Sequence, residues 1–121
     1  MTATMTTQLT VAGIEDSDGE HCECCGTRCP KRRVVLMDSN GSFVKYGSSC
    51  AAYVLTGSKK NKGDVEREAR VISTIHRWSD RGFDAKTIRS GIWNKFGVSM
   101  DIKEYGLRVW INPKTPTYIT I

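Results

Sequence analysis

A chain of 121 residues, 39% of them hydrophobic, is the size of one ordinary domain and can bury only a modest core. No stretch approaches the ~20 apolar residues needed to span a bilayer. The Thr-rich start, Met1 to Thr10, has neither the basic opening nor the apolar run of a signal peptide, so a cytoplasmic protein is expected.

The first few residues read as disordered. Residues 8–14 then alternate, with Leu9 and Val11 on one face, a weak strand pattern, and an acidic turn over 13–20 leads into a cysteine-rich segment. Two short apolar runs, 34–37 and 43–46, flank Asp38-Ser39-Asn40-Gly41. Asn-Gly supplies the positive φ angles of a tight turn, so a β-hairpin is expected here. Ser48 or Ser49 can cap a short helix that runs through Cys50 to about Leu55 and closes at Gly57. The polar, glycine-bounded stretch 57–63 reads as a flexible boundary.

Two helices are expected next. The first places Val65, Ala69, Ile72 and Ile75 at helical spacing, with Asp64 as cap and Gly82 as stop. The second starts at Asp84, carries the stripe Ala85, Ile88, Ile92 and Phe96, and ends at Gly97. Gly91 weakens it by roughly 1 kcal/mol relative to Ala. Leu107, Val109 and Ile111 then alternate with Arg108 and Trp110 as a half-buried strand, and residues 118–121 can add an edge strand after Pro113 and Pro116. The expected fold class is α+β. A small zinc-knuckle and hairpin module occupies 1–57, and two helices and a β-hairpin follow over 58–121.

The chain has five cysteines, four of them within the eight positions 22–29. In a reducing compartment this density argues for metal rather than disulfides. Cys22-x2-Cys25 followed by Gly26 has the shape of a zinc knuckle: two intervening residues let both thiolates turn toward one point, and the glycine permits the tight turn. The hairpin returns the chain so that Cys50, near a helix start, can close the site. A structural Zn2+ site needs four ligands. Cys29 is favoured as the fourth because it needs only a small loop; His21 and Cys24 are the alternatives, and His76 would require the helical half to fold back. A metal-free cluster of buried cysteines fits less well, because Glu23, Arg28, Lys31, Arg32 and Arg33 make the segment too polar. Catalysis is not expected. The βαβ setting of a Cys-x2-Cys redox motif is missing, and only His21 adjoins a candidate thiol nucleophile.

The run from Cys22-x2-Cys25-Gly26 through basic residues, a strand, Asp38-Ser39-Asn40-Gly41, a second strand and Tyr46-Gly47-Ser48-Ser49-Cys50 resembles the small treble-clef-like zinc modules of bacteriophage and mobile-element proteins. The resemblance covers roughly residues 20–57. It implies a structural zinc ion and a phage or mobile-element origin, and implies no activity. Tyr46 stands where those modules usually have Val. Tyr53 stands where a full treble clef would place a second ligand one turn after Cys50.

The net charge of +5 is unevenly spread. Residues 1–57 carry five Lys/Arg against six Asp/Glu, a net of −1, whereas 58–121 carry thirteen against seven, a net of +6. Lys59, Lys60, Lys86, Arg89 and Lys95 lie in that basic half, with Arg32 and Arg33 available from the cysteine module. Cations that neutralise phosphates release counterions, so such a surface favours nucleic acid. Two helices joined by Arg81-Gly82-Phe83 and followed by strands could form a winged helix-turn-helix. Its exposed second-helix face would be Lys86, Arg89, Ser90, Asn94 and Lys95. The plainer alternative is that these cations are a solvated helix face. Trp78, Trp93 and Trp110 all fall in this half; at least one is expected in its core, while Trp110, opposite the Leu107/Val109/Ile111 face, can anchor a partner. The sequence therefore points to a non-enzymatic nucleic-acid-binding accessory or regulatory protein, with DNA or RNA as partner. The alternative is a small modulator or inhibitor of a host protein. No small-molecule substrate is expected.

Overall fold

The structure, a computed structural model, describes residues 8–121. The expectations for the Thr-rich start fall, up to residue 7, outside the described residues. Among the described residues no helix is long and apolar enough to cross a membrane. The class is α+β, with three α-helices and two small antiparallel sheets among the described residues.

Strands β1 (Thr10–Asp16), β2 (Arg32–Met37) and β3 (Phe43–Tyr46) pair antiparallel in the order β1-β2-β3. Val34 and Leu36 of the central strand are fully buried, as strict alternation requires. In β1 the register shifts between Val11 and Gly13. An extra residue at a bulge changes the phase of alternation, so Leu9, Val11 and Ile14 all pack on the same core although their spacing is irregular. The β2–β3 turn differs from the tight Asn-Gly turn expected. No non-glycine residue among those described has positive φ. Instead the Asp38 carboxylate accepts the N–H groups of Asn40 and Ser42, both at 2.9 Å, and organises a five-residue loop over 38–42.

Helix α1 (Ser48–Thr56) follows, closed by Gly57 in the left-handed region as expected. Neither serine caps it. Gly47 is the N-cap, and the Ser48 hydroxyl instead donates to Glu66 Oε1 at 2.6 Å. Segment 57–63 is wound rather than loose. Ser58 caps a 3-10 turn at Lys59–Asn61, and α2 (Lys62–Asp80) begins directly after it. Ala51 and Ala52 of α1, with Val65 and Ala69 of α2, cover Val34 and Leu36. Five of these six core side chains are Ala or Val, so the apolar burial available to this part is small.

The chain divides into two compact units, the first reaching to Ala69 and the second running Arg70–Ile121, so the division falls inside α2. In the second unit α3 (Ala85–Phe96) starts at Asp84, whose carboxylate accepts the Thr87 N–H at 2.8 Å, and ends at Gly97. Strands β4 (Ser99–Lys103), β5 (Gly106–Trp110) and β6 (Thr117–Ile119) form an antiparallel sheet in that order. The expected hairpin is thus a three-stranded sheet with an additional strand, β4. Ile75, Ile88, Ile92, Val98, Met100, Leu107, Val109 and Ile119 supply its buried apolar side chains.

Candidate metal centre and cationic surface

The cysteine loop is held at both ends before any metal is considered. Its antiparallel stem is the bridge between His21 and Arg28, extended by Cys29 N–H to the Glu20 carbonyl at 2.8 Å. Inside it, Cys22 N–H donates to the Thr27 carbonyl and Gly26 N–H to the Cys22 carbonyl, each at 2.8 Å. Gly26 has φ +77°, a conformation that L side chains rarely adopt, and this lets the chain turn back between Cys25 and Thr27. Glu23 pins the loop to β3: its N–H donates to the Lys45 carbonyl at 3.0 Å, and its carboxylate accepts the Lys45 N–H at 2.6 Å. Since β3 runs through Gly47 into α1, the same contact sets the loop against Cys50.

The result is a cluster. The Sγ atoms of Cys22, Cys25 and Cys50 all lie within 4.8 Å of one another, with Cys22 buried, Cys50 half-buried and Cys25 exposed. Sulfurs around a tetrahedral zinc with Zn–S near 2.3 Å stand about 3.8 Å apart, so three thiols at this spacing can hold a metal ion after a small contraction. Their electrostatics are unequal. Hydrogen bonds with the Thr27 hydroxyl and backbone, then with Cys50 and Cys22, hold the Cys25 thiol down at about 6. Burial, followed by hydrogen bonding with Cys25 and Cys22, pushes Cys50 up to about 12. A depressed thiol beside a raised one is the split expected when neighbouring thiols hydrogen-bond to each other in a small volume.

Cys29, expected as the fourth ligand, is not part of that cluster. Its thiol is buried beneath Gly47, 3.3 Å from where a side chain there would begin, and donates to the Thr27 carbonyl at 3.6 Å. Burial raises its pKa. His21 is exposed. Cys24, an alternative on sequence, is exposed and also lies outside that group of three, although its side chain interacts with that of Cys50.

Among the expected cationic residues, Lys59, Lys60, Lys86, Arg89 and Lys95 are exposed and Arg32 is half-buried. Arg33 is engaged internally. Its guanidinium donates to Glu15 Oε1 at 2.7 Å and to the His21 carbonyl at 3.0 Å, with its side chain only 12% exposed. It positions the residue preceding Cys22, a role that its place in a basic run did not suggest. On α3 the residues Lys86, Arg89, Ser90, Asn94 and Lys95 are all exposed, while Ile88 and Ile92 are buried.

Of the three tryptophans, Trp78 is half-buried against Gly91, and Trp110 is half-buried under the Arg108 guanidinium, 5.3 Å from the ring centroid. Trp93 is 58% exposed. Sequence reasoning passed over it, although its position one residue after Ile92 puts it off the apolar stripe. Arg89, Ser90, Trp93, Ser99 and Met100 line an open groove of about 280 Å³ between α3 and β4.

Compared with known proteins, the chain matches no family model, no curated protein and no solved structure.

Proposed function

We propose that this chain is a small non-enzymatic protein, stabilised by zinc in its first unit, that binds nucleic acid through the basic surface of its second. The thiol cluster supports the first half of this reading. A set of thiolates suits a soft or borderline cation, and zinc is the redox-inert one that small modules use structurally. Cys22, Cys25 and Cys50 would hold the ion. Cys24 would complete the set, because its side chain interacts with that of Cys50 while the Cys29 thiol is turned to the Thr27 carbonyl. Zinc would supply folding energy here, joining β1–β3 and α1 around a core too small to be stable by burial alone.

The observation that carries the second half is the clean separation on α3. Its buried stripe contains no charge, while Lys86, Arg89 and Lys95 are presented to solvent and none of them forms an ion pair among the described residues. Phosphate contacts by such residues release counterions and make affinity fall steeply with salt. An electrophoretic shift assay at two salt concentrations tests the reading. Binding to an oligonucleotide that weakens sharply with salt supports it, and no shift at low salt with either duplex or single-stranded probes rejects it.

A second reading, docking on a host protein, is favoured by exposed aromatics in the first unit: Phe43 is 60% and Tyr53 57% exposed. Salt-insensitive, one-to-one capture of a protein partner would favour it over nucleic acid. A host cytoplasm and a phage or mobile-element origin fit either reading.

A further inference from the structure

We infer that the groove between α3 and β4 is a binding site for an unpaired nucleobase, so that the nucleic acid recognised is single-stranded; this rests on the nucleic-acid reading above. Arg89 and Trp93 are one helical turn apart on α3, so they project side by side. Ser99 stands on the opposite wall, and the buried Met100 forms an apolar floor. Trp93 leaves 58% of its surface in water, so its indole face is open to a ligand. Beside it lies a cation that forms no ion pair among the described residues. The nearby acids that would neutralise the groove are otherwise engaged: Asp84 caps α3, and Asp101 is held by Arg108 at 2.6 Å.

A planar π-surface, an adjacent unpaired guanidinium, two hydroxyls and an apolar floor match the parts of one nucleotide. The base stacks on Trp93, its phosphate meets Arg89, and Ser90 and Ser99 can hydrogen-bond base edges or sugar. A duplex keeps its bases stacked and paired, and cannot offer one to a recess without first unpairing it. The site also has a continuation. Ser99 is the cross-strand partner of Trp110, and Arg108 that of Tyr118; cross-strand partners share a sheet face. Ser99, Trp110, Arg108 and Tyr118 therefore share the outward side of the sheet with Asp101, whose charge Arg108 offsets, in a row leading away from the groove. Tyr118 is 61% exposed, and its ring lies 5.8 Å from that of Tyr105. A second base of the same strand would stack on the exposed Tyr118 ring at the far end of this row.

The test uses the full chain with a fluorescently labelled oligothymidylate about a dozen nucleotides long, the span of one single-strand site, and a duplex of the same length. The single strand should bind more tightly than the duplex. Trp93→Ala should weaken single-strand binding about 5- to 150-fold, the loss expected for one stacked base, with the salt slope unchanged. Trp93→Phe should restore part of it. Arg89→Gln should weaken binding and lower the slope by about 0.7 log unit, one single-strand phosphate contact. Tyr118→Ala should also weaken binding, confirming the row. Trp93 is exposed, so an unchanged melting temperature verifies that its variants are folded. If Trp93→Ala binds the single strand as the native protein does, the inference falls. If duplex is bound in a salt-dependent way that ignores Trp93, the nucleic-acid reading stands and this inference alone is overturned. If neither probe binds at low salt, both fall together, and the groove is left to a protein partner.

Discussion

Gly91 sits under the Trp78 ring, where an added methyl group would stand 2.6 Å from Cζ3. By helix propensity alone Gly91→Ala should stabilise α3 by about 1 kcal/mol. The indole is half-buried and rigid, however, and overpacking of this kind costs about 1–3 kcal/mol. The expected net result is a loss of up to about 2 kcal/mol, measured by denaturant unfolding, and a gain in stability would show that Trp78 moves aside freely. Asp101 offers a pH prediction. Hydrogen bonds from Arg108, then from the Trp110 indole, hold its carboxyl below the ordinary range. A carboxyl whose folded pKa is depressed stabilises fully above its unfolded value of about 3.9, and that contribution disappears as pH falls through the folded value. Native protein should therefore lose stability as it is acidified below about pH 4. Asp101→Asn should show a shallower loss over that window, with lower stability at neutral pH because the charge on its partner is gone. Thermal melts at several pH values decide it; identical slopes for the two proteins would dismiss the Arg108 contact as a stabilising one.

Among the elements, the loop 21–29 and helix α1 belong together, because only Cys50 of α1 joins the thiols of the loop. The purified protein should carry about one zinc per chain, and a strong chelator should unfold β1–β3 and α1. Structural sites in isolated zinc modules contribute an apparent ~10–16 kcal/mol. Metal-free protein with an unchanged melting curve would reject the site. Cys50→Ser should be the most damaging single change, since it releases α1 from the loop. Cys24→Ser should lower zinc affinity more than Cys29→Ser, because the Cys29 thiol is turned to the Thr27 carbonyl beneath Gly47. Competition against a colorimetric zinc chelator gives the order, and a larger effect at Cys29 would return the fourth position to it.

For the molecule as a whole, charge is the property that selects a partner, and it is carried by the later residues, with a net of +6 over 58–121. Lys86→Glu with Lys95→Glu should weaken binding to nucleic acid and flatten its salt slope, by about 0.9 log unit per lost phosphate contact on duplex and 0.7 on single strands. The melting temperature should hardly change, because both side chains are exposed and lie off the Ile88/Ile92 stripe. A protein-binding function predicts instead a slower association with the protein target and no nucleic-acid affinity to lose.

Features governed by neighbours in the chain were legible in the sequence alone. Asp84 and Gly97 bound α3 because capping depends on residues within one turn. Val34 and Leu36 were marked as part of the apolar run 34–37, and Cys22, Cys25 and Cys50 by spacing and a hairpin between them. Features governed by distant partners were not. Ser99-Met100-Asp101-Ile102-Lys103 has only two apolar residues, and it is a strand because β5 offers hydrogen bonds and a face for Met100. Arg33 reads as a surface cation until Glu15 and His21 are folded onto it. The choice between Cys24 and Cys29 depends on how α1 lies against the loop, and the exposure of Trp93 on which side of α3 meets β4. Local chemistry sets which residues can begin a helix or bind a metal. Which of them meet is decided by packing, because each contact depends on where a remote segment comes to rest.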